Sequence, residues 1–465
     1  MNEAPNRCDL LVRNGVLLTA DERNTVLRNG SMAIEGGRIA AVGSDADLAG
    51  KWVADAVRNV QGAVVHPGFI DAHIHISQYT ARTALPAMAR TSRAGAADIT
   101  MGHWKSHLRP EDEHASAMLA ILDMIKSGYT GFVDPGTVLD TSAVAAAAEA
   151  ADVRAWLTDA YVADRTDYLE ARIPAFFGGS FKQYWPRNFD EAVSRIGGEL
   201  FRNNQSDALV RGFVGLYGEG SDSTQLHRSA LEIAREHGVQ FQKHLGYSPN
   251  VMRDLNREAC GSVLRQLSED DLLSSRVSLT HLNLLSEDEV KILAGSGVKI
   301  VWCPYGQLAM IGAESARPRV STAVRAGVSV ALGTDIARAF NFDDLGKLAW
   351  SSGQAAGGLV SGEDIFLMRT RGAAASIGAA EELGGLEAGK RADFVIRRPE
   401  ISEDLGHDVF QELAVIAGRD SVQDVYVAGR AVLQDGDPVH LDSGDVLARA
   451  RHSVRYLGSK TGLTA

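Results

Sequence analysis

Hydrophobic and polar positions alternate along this chain in two regimes. In the first sixty-odd residues, short β-prone runs at 9–15 and 31–43 are separated by glycine-bearing turns, and Gly36-Gly37 between two such runs predicts a hairpin. Strands of the same kind return only near the other end, at 392–396 and 422–432. Because chain termini often lie close together, the two flanking pieces are expected to form one small β-sandwich. Between them, eight apolar β-type runs alternate with helix-forming stretches such as 143–151 and 287–294, the latter opened by a Ser286 and Glu289 capping box. Eight strand–helix units in series predict an α/β fold, a (β/α)8 barrel of the TIM type. The expected division is 1–66 for the first part of the sandwich, 67–380 for the barrel, and 381–465 for the second part with a C-terminal tail.

The connections are uneven. Long inserts follow the first barrel strand (77–110) and the third (162–204), and loops of that length usually build or cover a site. The second carries Phe176, Phe177, Tyr184, Trp185 and Arg187 in a chain with only 6% aromatic residues, so the concentration is informative. One reading is a hydrophobic cluster beneath a long loop. The other is pocket lining, in which Phe177 and Trp185 face a substrate and Arg187 clamps a polar group on it.

Charge and cysteine content narrow the function. A net charge of −12, from 59 acidic against 47 basic residues with no long basic block, argues against a nucleic-acid or anionic-membrane partner. Three cysteines far apart exclude a disulfide framework or a structural zinc knot. Cys303 reads as a small buried hydrophobe. Residues 1–9 lack a basic region followed by an apolar one, and no apolar run approaches membrane-spanning length, so a cytoplasmic protein acting on a small molecule is expected.

The polar residues at the strand ends supply the chemistry. His73 and His75, two apart, share one face of the first strand; His244 closes the fifth strand, His281 the sixth and Asp335 the eighth. In a barrel all these carboxyl ends converge on one mouth. Any one histidine reads as well as a hydrogen-bonded core residue, but the set, with one carboxylate and room for water, suits one divalent transition-metal ion per chain, Zn2+ or Co2+. His103 and His107, spaced four apart, lack the intervening glutamate of a metalloprotease helix and read as pocket or surface residues.

With these residues in view, the chain resembles the amidohydrolase superfamily, in the branch of cytosine deaminase and the triazine chlorohydrolases. The motifs are residues 67–75 (PGFIDAHIH), Cys303-Pro304, residues 332–335 (LGTD) and residues 386–394 (LEAGKRADF). The resemblance implies that His73, His75, His244 and Asp335 ligate the metal, that His281 polarises substrate or water, and that the protein is a homo-oligomer. Binuclear members use a carboxylated lysine at the end of strand four. Here Tyr217 stands among Leu216, Gly218 and Glu219, which implies a single ion. Members of this branch also place a glutamate three residues after the strand-five histidine, where this chain has Tyr247. A phenol is a poor base at neutral pH but a good donor, so Asp335 is expected to serve as both ligand and base, with Tyr247 and His281 donating to an oxyanion. That combination most resembles phenylurea hydrolase and molinate hydrolase, implying cleavage of a (thio)carbamate, urea or amide. The alternatives are an aminohydrolase or chlorohydrolase of a nitrogen heterocycle, with Glu219 or Asp335 replacing the missing glutamate, and, remotely, a non-catalytic scaffold.

Overall fold

The computed structural model describes residues 5–84, 101–172, 179–311, 319–336, 341–355, 358, 360–398 and 408–461. Phe176 and Phe177 lie outside them.

The flanking segments join. Strands β1 (Asn6–Leu18), β2 (Val26–Glu35), β3 (Arg38–Ser44), β4 (Trp52–Asn59) and β5 (Val64–Pro67) share one nine-stranded sheet with four strands from the other end of the chain. The link between the two sets is antiparallel pairing of β5 with residues 394–397, Val65 opposite Ile396. The Gly36-Gly37 hairpin forms as expected and folds back on the far segment, Ile39 N–H donating to Lys390 O (2.9 Å) and Ala392 N–H to Gly37 O (3.0 Å). The sheet thereby closes over its own core of Val12, Met32, Ile34, Val65, Phe394 and Ile396.

The barrel begins one residue later. Residues 64–71, an apolar run interrupted by Pro67 and Gly68, are two strands in two sheets: β5 and then β6 (Phe69–Asp71), with Gly68 as the pivot. A Cβ on Gly68 would stand 2.2 Å from Thr130 Oγ1, so only glycine permits this passage. The parallel strands that follow are β7 (Tyr129–Val133), β8 (Arg154–Leu157), β9 (Val210–Gly212), β10 (Val214–Gly218), β11 (Phe241–Leu245), β12 (Val277–His281), β13 (Lys299–Trp302) and β14 (Val330–Leu332). Strand four of the barrel is split by Phe213 into β9 and β10, which pair with β8 and β11 respectively. The ring closes where Ala72 N–H donates to Leu332 O (3.0 Å) and His75 N–H to Asp335 O (3.0 Å). Ile70, Ala72, Val133, Trp156, Phe213, Val301 and Ala331 fill its interior. The expected helices are present at Thr141–Ala150 and Glu287–Ser296, the second with its capping box.

The chain then returns to the sheet through β15 (Phe394–Arg397), β16 (Val422–Val427), β17 (Arg430–Gln434) and β18 (Asp437–Pro438). The segment read as a C-terminal tail is a 19-residue helix, Ser443–Thr461, packed on the helix Pro110–Lys126. The Arg109 guanidinium lies over the Tyr456 ring at 3.5 Å. No helix among the described residues is long and apolar enough to cross a membrane.

Candidate active site

His73 and His75 stand on the extended run just past the end of β6, where alternation continues and brings their ring centroids to 5.1 Å. His244 is on β11, His281 ends β12, and Asp335 follows β14. The structure brings all five together. Donor atoms of His73, His75 and Asp335 lie within 4.8 Å of one another, as do those of His73, His244 and His281. His75 Nε2 is 3.1 Å from Asp335 Oδ1.

The hydrogen bonds around the imidazoles point their second nitrogens inward. His244 Nδ1 donates to the carbonyl of Tyr217 (2.7 Å), which leaves Nε2 as the lone-pair atom. His73 Nδ1 lies 3.3 Å from Gln242 Oε1, and His75 Nδ1 is 2.8 Å from Thr137 Oγ1. His73 Nε2 and His244 Nε2 are then buried with no hydrogen-bond partner. Buried polar atoms are rarely left so, and outer bonds of this kind are what hold metal-ligating histidines in one tautomer. Burial, reinforced by the neighbouring imidazoles, holds His73 and His281 well below the ordinary histidine range, and burial also lowers His244. Neutral imidazoles with free lone pairs beside one carboxylate fit a divalent transition-metal ion.

Backbone strain gathers at the same place. His281 (φ 83°), Leu282 (φ 47°), Asp335 (φ 60°) and Glu219 (φ 53°) are non-glycine residues in the left-handed region, where such conformations persist only when the surroundings impose them.

Tyr247 is buried, with its ring 5.4 Å from that of His281. Burial raises its pKa well above the tyrosine norm, and its hydroxyl bonds that of Tyr217, whose ring lies 4.9 Å from His244. Tyr217 was not foreseen as a site residue, although its position at the end of strand four marked it. Glu219, offered as a substitute for the expected glutamate, is engaged by backbone. Its carboxylate accepts the N–H groups of Gly246 (2.6 Å), Tyr247 (3.2 Å) and Ser248 (2.8 Å), and so fixes the loop that carries Tyr247. Burial pushes its pKa up to about 7 against those three bonds.

Of the aromatic insert, Trp185 is buried against Tyr217 (5.5 Å) and Tyr161 (5.4 Å), one ring removed from His244. The structure does not bring Arg187 into the site: its side chain is 86% exposed and paired with Glu191 at 2.7 Å, because it precedes a surface helix whose first turn is acidic. The His103 and His107 rings pack on each other, centroids 5.0 Å apart. Cys303 is buried, and burial raises its thiol well above the ordinary range, as for an inert core cysteine.

The profile of the Amidohydrolase family matches residues 64–432. The chain belongs to that family. It is similar to 5-methylthioadenosine/S-adenosylhomocysteine deaminases from Thermodesulfovibrio yellowstonii (24% identity, covering 95% of this chain and 97% of the relative) and Syntrophobacter fumaroxidans (26%, covering 97% and 99%). Among solved structures it resembles a zinc-bound adenosine deaminase from Xanthomonas campestris (TM-score 0.80, 22% identity, covering 98% of this chain and 100% of that one). It also resembles a zinc complex of atrazine chlorohydrolase from Arthrobacter aurescens (TM-score 0.80, 22%, covering 96% and 100%). This amidohydrolase is a metal-dependent hydrolase, and the intact donor set rules against a scaffold that has lost its ligands.

Proposed function

We propose that this amidohydrolase hydrolyses a small nitrogen heterocycle at an electrophilic ring carbon, using one zinc or cobalt ion held by His73, His75, His244 and Asp335. The observation that carries this reading is the buried convergence of those four groups beside His281 and Tyr247. A heterocyclic substrate is supported by the curated relatives, which are named as deaminases and align over nearly their whole length. This is the alternative of the sequence reading, and it now stands ahead of the (thio)carbamate.

A bound divalent ion lowers the pKa of water toward ~7 and polarises an electron-rich substrate atom. Asp335 takes the proton of the attacking water as the new carbon–oxygen bond forms. The Tyr217 and Tyr247 hydroxyls, held protonated by burial, supply a donor to the ring nitrogen that gains negative charge, and His281 supplies a second polar contact. The leaving group departs with the electron pair of its bond to the ring carbon. With Glu219 committed to three backbone N–H groups, no carboxylate other than Asp335 is assigned, among the described residues, to shuttle a proton to it. Groups that leave as stable anions, chloride or thiolate, are therefore favoured over an amine.

The same two observations, Tyr247 in the place of the glutamate and Glu219 held by the loop, favour a second reading, hydrolysis of a thiocarbamate or urea carbonyl. A panel of chlorinated, thiomethylated and aminated triazines and purines, run beside thiocarbamates and phenylureas in isotopically labelled water, distinguishes them. Label should enter a ring carbon, fastest with chloride or thiolate leaving. Turnover of the carbonyl compounds alone would replace this reading with the second, and no turnover by zinc- or cobalt-loaded protein would end both.

A further inference from the structure

The loop that leaves the second barrel strand is built around one carboxylate. After β7 the chain reads Asp134-Pro135-Gly136-Thr137. The proline has no N–H to satisfy, and Asp134 Oδ1 accepts those of Gly136 (3.1 Å) and Thr137 (2.7 Å), so the side chain closes its own turn. Asp134 Oδ2 crosses to the first strand and accepts the N–H of Ile76 (3.1 Å), the residue after His75. Asp134 and Thr137 are both buried.

These contacts give a hydrogen-bond chain its direction. Both Asp134 oxygens already accept N–H donors, so the carboxylate also accepts the Thr137 hydroxyl, whose Oγ1 lies 3.2 Å from Oδ1 and 3.3 Å from Oδ2. With its hydrogen committed there, Thr137 Oγ1 accepts from His75 Nδ1 (2.8 Å). In the neutral ring this leaves the lone pair on Nε2, the atom 3.1 Å from Asp335 Oδ1.

Thr137 is held from a second side. Lys105, buried on the helix Met101–Lys105 of the insert after the first strand, donates from Nζ to Thr137 O (2.8 Å) and to the Tyr161 hydroxyl. The insert thus braces the residue that the strand-two carboxylate orients. We propose that Thr137, oriented by Asp134, is a positioning residue for the metal: it sets the tautomer and ring direction of His75, and through them the affinity and coordination of the ion. This inference rests on the metal site of the proposed function and is independent of which substrate is hydrolysed.

The test is a competitive chelator titration of Co2+ with the full-length protein, read together with the visible ligand-field spectrum of the cobalt-loaded form. Thr137→Val keeps the shape of the side chain and removes the hydroxyl; it should weaken cobalt about 10–100-fold and shift the ligand-field bands. Thr137→Ser restores the hydroxyl, and should return affinity to within about threefold of the parent with the parent spectrum. A side chain that only braced its loop would give the opposite order, because valine replaces more of the bulk of threonine than serine does. Asp134→Asn puts an amide N–H2 group where a carboxylate oxygen accepted, and carries the test if Thr137→Val does not fold; it should weaken cobalt at least about tenfold. A parent that takes up no cobalt would overturn the metal site and this inference together. A parent that takes it up, with Thr137→Val or Asp134→Asn matching it in affinity and spectrum, or with serine and valine equally harmful, would overturn this inference alone.

Discussion

Tyr247 stands where the family resemblance implies a glutamate. Its hydroxyl is buried, held protonated by that burial and bonded to that of Tyr217, which supports the proposed role of donor rather than base. Tyr247→Phe should lower kcat about 10²-fold with metal content unchanged, the usual effect of losing one donor to developing charge; a variant as fast as the parent would show that the ring only fills space. Glu219→Gln tests the clamp. The amide keeps an oxygen for one or two of the three N–H groups but loses the charge, so kcat should fall about tenfold at parent metal content. The metal-facing residues were legible in the sequence because each closes a strand and the parity of His73 and His75 survives past the strand end. The clamp was not. That Glu219 reaches 246–248, and that Tyr217 reaches Tyr247, follows from the pairing of β10 with β11, which no local pattern encodes.

At the scale of elements, the ends of the strands are shaped by close approaches. The helix Pro304–Ile311 starts against Asp335, where a Cβ on Gly306 would stand 2.3 Å from Oδ2. Gly306→Ala should therefore displace the carboxylate and weaken metal affinity at least about tenfold in a competitive chelator titration, although alanine favours a helix. Gly218, at φ 80°, makes a comparable approach to His244 O at 2.2 Å. The barrel strands were readable as apolar runs because parallel strands are buried on both faces. The break at Gly68 was legible too, because Pro67 and Gly68 interrupt the apolar run at the expected boundary between 1–66 and 67–380. The C-terminal helix carries a sparse apolar face, Val446, Ala450 and Leu457, whose spacing was present but lay directly after a run of strands.

Over the whole molecule, barrel and sheet are joined by a buried ion pair. Arg154 on β8 donates to both oxygens of Asp393 beside β15, at 2.6 and 2.8 Å, with both side chains under 5% exposed. Asp393→Ala leaves the guanidinium buried and alone, and should cost about 3–5 kcal/mol in a denaturant titration. That both chain ends build one sheet was legible from the recurrence of strand patterns. The pair that joins the sheet to the barrel was not, because its partners are 239 residues apart. The proposed chemistry rests on a single ion at the barrel mouth. Elemental analysis of the purified protein and of His244→Ala, with turnover measured on the same samples, tests it most directly. The account predicts close to one zinc or cobalt per parent chain, little in the variant, and activity that follows the metal; full activity in metal-free protein, or undiminished metal in His244→Ala, would contradict it.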